Sequence, residues 1–222
     1  MSKINSTRSG CKDVFRAFLV KNAHFDSDLE IPCIVPESSL PERMIPFSKA
    51  ISNTDYDQWV HFYEDDAKFE RIWNNPEKYL PILKKFKGAI SPDFSLYRDM
   101  PLVMQQWNIY RGRAIGHWLQ ENGIPVIPNI RYGDSRTYPL SCAGVTKGGS
   151  IAVGSHGCIK LVRERKYFAQ GLAYVVKTLE PKAIVVYGTA PDSVFGEYRR
   201  AGITIIQFDS DYAVSHDKAV ST

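Results

Sequence analysis

Four aspartates stand just after short apolar runs, where a carboxylate could do chemistry. Asp66 follows Trp59 to Tyr63, Asp93 follows Gly88 to Ile90, Asp134 follows Val126 to Ile130, and Asp209 follows Ile203 to Phe208. Two carboxylates facing one pocket can divide labour, one as nucleophile or charge stabiliser and the other as general acid or base. Breaking a glycosyl bond needs that pairing, because a cationic sugar centre must be stabilised while a leaving group is protonated. Asp93 and Asp134 form the best pair. Asp93 follows Pro92, which fixes the backbone, and Ser95 and Tyr97 lie close by in the chain. The alternative for both aspartates is a hydrogen bond in a turn or at a helix cap.

The groups that could hold a substrate flank them. Asn129 could read an amide or a base edge, and Arg131 and Arg136 could clamp a phosphate or carboxylate. Arg131 could equally pair with Asp93 or Asp134, which would lower the carboxylate's pKa. In Gly154-Ser155-His156-Gly157-Cys158, two glycines let the backbone approach a ligand, and the amides could hold an anion. His156 is a candidate acid or base there, or else a hydrogen-bonded turn residue. The run lacks the Lys-Ser/Thr ending of a phosphate-binding loop and the spacing of a serine nucleophile elbow. Cys158 reads as a core thiol. Lys160, Arg163, Arg165 and Lys166 form a basic cluster that would attract nucleic acid, or would simply be a solvated helix face. Tyr187 and Asp209 complete the rim of substrate-binding candidates. The five histidines are scattered and no CxxC pair occurs, so neither a metal site nor a cofactor is expected.

These residues need a frame. Gly88 to Arg136 reads as strand, helix, strand, with Asp99 capping the helix, Pro101 in its first turn and Gly123 as its stop. Val103, Trp107, Tyr110, Ala114 and Trp118 make one apolar stripe on it, while Gln106, Arg113 and Gln120 share a polar face. Before it, Asp66 to Phe86 is helical but broken at Asn75-Pro76, with Pro81 expected to kink or split the second piece. After it, Ser150 to Gly154, Ala183 to Tyr187 and Ile203 to Phe208 are strands separated by helical segments. Strands and helices alternate, which predicts an α/β fold. Its mainly parallel sheet has about six strands with covering helices, and is incomplete-barrel-like or else open and doubly wound. In either case side chains at the C-terminal ends of the strands would gather into a site.

The chain has 222 residues, enough for one sizeable α/β domain. We read residues 1–22 as an N-terminal extension, 23–212 as the domain and 213–222 as a tail. With 44% hydrophobic and 23% charged residues, the composition excludes wholesale disorder. The net charge of +4 permits a nucleic-acid partner without requiring one. The first residues lack the apolar stretch of an export signal and no apolar run could span a membrane, so a cytoplasmic protein is expected.

The runs Ser91 to Pro101 with Trp107-Asn108, Ile127 to Asp134, Ser155 to Cys158 and Val186 to Gly188 resemble the uncharacterised DUF4417-type domain family of bacteria, phages and mobile elements. The resemblance spans Ile31 to Phe208 and brings no reaction with it. It implies a mobile-element or phage–host conflict setting, in which nucleic-acid or nucleotide substrates gain weight by association. The expectation is a carboxylate-dependent enzyme that cleaves or exchanges a glycosyl or N-glycosyl bond of a nucleotide or nucleic-acid base. The alternative is a nucleic-acid-binding or interaction protein without catalysis.

Overall fold

A computed structural model of the chain describes residues 13–210. Seven parallel strands form its spine: β3 (Met44–Pro46), β4 (Trp59–His61), β5 (Gly88–Ile90), β6 (Val126–Ile127), β7 (Ser150–Gly154), β8 (Ala183–Tyr187) and β9 (Thr204–Phe208). β3 to β6 pair as one sheet and β7 to β9 as another. The Asn129–Ala152 pair bridges them: Ile130 N–H donates to Ala152 O at 2.8 Å, and Ala152 N–H to Pro128 O at 2.9 Å. The strands therefore follow one another in chain order without reversal, as in a barrel wall rather than a doubly wound sheet. The wall stays open, since among the described residues no pairing joins β9 to β3. A two-stranded antiparallel ribbon, β1 (Phe25–Asp26) with β2 (Ile31–Pro32), stands apart. The short apolar run at Ile31–Pro32 belongs to that ribbon. Its prolines suit an edge.

The alternation of side chains along the strands sorts the core into two layers. Met44, Trp59, Ile90, Ile127, Ala152, Val185 and Phe208, one from each strand, meet inside the wall. Trp59 fills most of that space because its strand neighbour is Gly88, where a Cβ would lie 2.6 Å from the indole ring. The opposite faces pack under helices. α1 (Phe47–Ala50), α2 (Asp66–Asn74), α3 (Pro76–Leu83) and α4 (Leu102–Glu121) flank β3 to β6. α5 (Tyr138–Cys142), α6 (Val162–Leu179) and α7 (Asp192–Arg200) lie among the strands that follow. Leu19 and Val20, within the segment read as an extension, are buried in the first of these cores.

Several local expectations change. α4 begins at Leu102 with Pro101 as its N-cap residue and no side-chain cap, so Asp99 lies ahead of the helix. α3 runs through Pro81 unbroken. The carbonyl that loses its partner there belongs to exposed Glu77, where water can serve it. On α4, Val103 and Trp107 of the apolar stripe are exposed, whereas Arg113 of the polar face is buried.

Gly171 of α6 lets the fold close over the site. A Cβ there would fall within the ring of Tyr132, whose hydroxyl donates to Phe168 O at 2.8 Å. Tyr132 is wedged between Tyr138 and Phe168 and has nowhere to go. Gly171→Ala is expected to destabilise the protein by about 1–3 kcal/mol, although alanine in an open helix gains about 1. Urea denaturation checks it, and unchanged or increased stability would mean that the ring yields.

Candidate active site

The same alternation that fills the wall carries three strands' inner faces out to the mouth. Beyond Trp59 come His61 and Tyr63, beyond Ile127 come Asn129 and Arg131, and beyond Val185 comes Tyr187. Tyr63 stacks on Tyr187 with ring centroids 4.8 Å apart, and His61 packs against Tyr187 at 4.6 Å. The three rings close the wall's interior below the site.

Asp93 leaves the end of β5 and points toward Asn129 and Arg131. Asn129 Nδ2 donates to Asp93 Oδ1 at 2.7 Å, and an Arg131 terminal nitrogen reaches Oδ2 at 3.4 Å. Only 11% of the Asp93 side chain is exposed, against 25% for Arg131. Burial pushes the Asp93 pKa up, partly offset by Arg131 and the Asn129 hydrogen bond, with Asp66 adding a smaller upward push. The Arg131 guanidinium is pushed up by the same carboxylate.

Asn129 serves this arrangement. It is 3% exposed and all of its polar groups are engaged. Its Oδ1 accepts from the Tyr63 hydroxyl at 2.9 Å, its N–H donates to Ser91 Oγ at 2.8 Å, and its carbonyl accepts from Arg113 at 2.7 Å. Tyr63 Oη accordingly fixes which way the Asn129 amide faces. Burial first, then Asp93, raises the Tyr63 pKa well above the ordinary phenol value.

A cleft of about 550 Å³ reaches this network at Arg131; Asp93, Asn129 and Tyr63 stand behind its lining. Arg131 and Gly154 form part of its lining, and a Cβ on Gly154 would stand 3.6 Å from Asp93 Oδ2. His156, Gly157 and Cys158 line one wall; Tyr97, Arg98 and Asp99 come from the loop before α4, and Arg163, Glu164 and Tyr167 from α6. Arg98 and Glu164 join across it in a two-pronged ion pair at 2.8 and 2.7 Å, with the guanidinium stacked on Tyr167 at 4.1 Å. That pairing lowers the Glu164 pKa. Cys158, half-buried, has its thiol pushed up by burial.

The other candidates are distributed unevenly. Asp134 is held by Arg136 two residues on, at 2.8 and 2.9 Å, which lowers its pKa. Neither it nor Arg136 lines the cleft. Ser95 turns to Asp66, donating to it from both N–H and Oγ, so these two are also spent on each other. Asp209 is exposed and accepts from Gln207 at 3.0 Å. Lys160, Arg163 and Lys166 are exposed, while Arg165 is half-buried and donates from Nε to Ile159 O at 2.8 Å. Sequence reasoning overlooked Tyr63, Arg98, Glu164 and Arg113. For Tyr63 a signal existed, because Trp59, His61 and Tyr63 fall on one face of an extended run. Among the described residues, no group of three or more His, Cys, Asp or Glu side chains could hold a metal ion, and no helix could cross a membrane.

The raised Asp93 pKa makes stability depend on pH with a definite sign. The folded state keeps this proton to a higher pH than the unfolded chain, where the carboxyl titrates near about 3.9. The contribution of Asp93 is therefore fully present below the unfolded value and is lost as pH rises through the raised folded value. Relative to wild type, Asp93→Asn is expected to gain stability between pH 4 and pH 7, as read by denaturant midpoints. A relative loss over that interval would mean that Arg131 and Asn129 outweigh burial.

An open wall of parallel strands with a cleft at its C-terminal edge defines an α/β protein. The chain belongs to the family described as "Domain of unknown function (DUF4417)", whose model matches residues 23–209. It is similar to the "Gene 1 protein" of Mycobacterium phage L5, 30% identical over 187 residues covering 82% of this chain and 80% of the relative. It is also similar to the "Gene 1 protein" of Mycobacterium phage D29, 34% identical over 129 residues covering 58% of this chain. That match spans about half of the D29 protein, 48% of its length. No solved structure matches.

Proposed function

We propose that the cleft receives a nucleotide or a nucleic-acid base, and that the protein cleaves or exchanges its N-glycosyl bond with Asp93 facing the sugar. One observation carries this: a nearly buried carboxylate, held by Asn129 and Arg131, lies behind Gly154, a residue without a side chain in the lining of a cleft of nucleotide size. A fixed carboxylate in such a place stabilises a developing sugar cation without reorganising. The C1′–N bond breaks with its electron pair going to the base, and the oxygen of water, or a nitrogen of an incoming base, bonds to C1′. His156, which lines the cleft, delivers a proton to the departing base and takes one back from the attacking water or incoming base. Asp134 takes no part, because Arg136 holds it ionised in its own loop, outside the cleft lining.

Incubation with unmodified DNA, modified phage DNA and transfer RNA, followed by alkali, should yield strand breaks at abasic sites on at least one of them. A complete absence of breaks, together with salt-sensitive binding, would favour a second function, a nucleic-acid-binding module without catalysis. The exposed Lys160, Arg163 and Lys166 beside the cleft are what favour that alternative.

A further inference from the structure

The arginines around the cleft differ in what they have left to offer. Arg98 gives both terminal nitrogens to Glu164 and one face to Tyr167. Arg136, outside the cleft, is spent on Asp134 and on Arg98 O. Arg131 makes a single contact, at 3.4 Å, and among the described residues its guanidinium bonds to no other acceptor. A guanidinium has five N–H donors, so most of the donors of this cleft-lining residue have no protein acceptor among the described residues. Arg163 lines the same cleft, is exposed, and its side chain makes no hydrogen bond among the described residues. Next to them Gly157, at φ 77°, turns an exposed backbone toward the opening, with nothing near the place of a Cβ.

We propose that Arg131 and Arg163, with the backbone of Gly157, form a subsite for one phosphoryl group, so that the ligand is a nucleoside monophosphate unit rather than a nucleoside or free base. This rests on the cleft being the ligand site. The planar fork of Arg131 suits two phosphoryl oxygens, and partial burial strengthens the attraction. Asp99 and Glu164 line the same cleft, so a second or third phosphate would meet carboxylates. Tyr97, exposed on the rim, offers a face against which the base can stack. The unit can come from a free mononucleotide or from one nucleotide of a strand.

Calorimetry on the full chain separates the cases, with the four nucleosides, their 5′-monophosphates and triphosphates, and a short single-stranded oligonucleotide as probes. At least one monophosphate should bind about tenfold or more tighter than its nucleoside, and its triphosphate no tighter than the monophosphate. Arg131→Lys keeps a charge beside Asp93 but loses the fork, and should remove most of that preference. Arg163→Gln, on an exposed side chain, should remove part of it without touching the fold. Binding of the oligonucleotide alone, weakened by the same variants, would assign the unit to a strand. Equal binding of nucleoside and monophosphate would overturn the phosphoryl subsite and leave the cleft as ligand site. A monophosphate preference unaffected by either variant would overturn it as well. No binding by any probe would overturn both the subsite and the cleft.

Discussion

Asp93→Asn is expected to lower base release by about 10²–10³-fold, the usual loss when one preorganised electrostatic group is removed from a reacting centre. Asparagine keeps the size of the side chain and the bond from Asn129 Nδ2, now accepted by an amide oxygen. It takes from Arg131 an acceptor that lay 3.4 Å away, a long contact with little to lose. Burial already pushes this carboxyl toward its neutral form, so a neutral amide fits the position at no great cost. Melting within a few degrees of wild type, with activity gone, is the combination expected. Release that persists within about threefold would remove Asp93 from the reacting centre. Unfolding of the variant would instead make Asp93 a structural residue.

The largest effect on stability is expected at Arg113. This residue of α4 is 3% exposed and donates to three main-chain carbonyls: Asn129 at 2.7 Å, Ser141 at 2.6 Å and Ala143 at 3.1 Å. It thus ties the Asn129 segment to the end of α5. Burial lowers its pKa to about 10, which still leaves it charged at neutral pH. Arg113→Met fills much of the space but orphans three buried acceptors, at a cost of about 3–5 kcal/mol. Urea denaturation measures this directly. A loss under about 1 kcal/mol would mean that water replaces the guanidinium and that the clamp is dispensable. Because Asn129 orients Asp93, a partly folded Arg113 variant should also lose activity in excess of its loss of folded protein.

The strand ends were legible because their punctuation is local. Pro92-Asp93 and Pro128-Asn129-Ile130-Arg131 follow short buried runs, and the fold brings Asp93, Asn129 and Arg131 together. Chain-order pairing was not legible in periodicity, since short apolar strands look alike in either topology; the Asn129–Ala152 bridge that joins the two sheets is a tertiary contact. The helix α4 misled for a physical reason. An apolar stripe ranks faces by hydrophobicity, but this helix buries Gln105, Asn108, Arg113 and His117 against main-chain carbonyls outside it and Arg111 against Glu70 of α2. Its exposed Trp107 instead stacks on Tyr110 at 5.4 Å, an aromatic surface that periodicity counts as core. Asp134 and Ser95 have the residue types of a site, and only side-chain partners reveal that Arg136 and Asp66 already hold them. The tail beyond residue 210 and the first 12 residues lie outside the described residues.

The most direct test is product analysis by chromatography, with wild type and Asp93→Asn run side by side on each nucleotide and nucleic-acid substrate. The expected result is free base from wild type and almost none from the variant. Nucleoside plus inorganic phosphate, or free base in equal amounts from both proteins, would contradict a glycosyl-bond chemistry centred on Asp93.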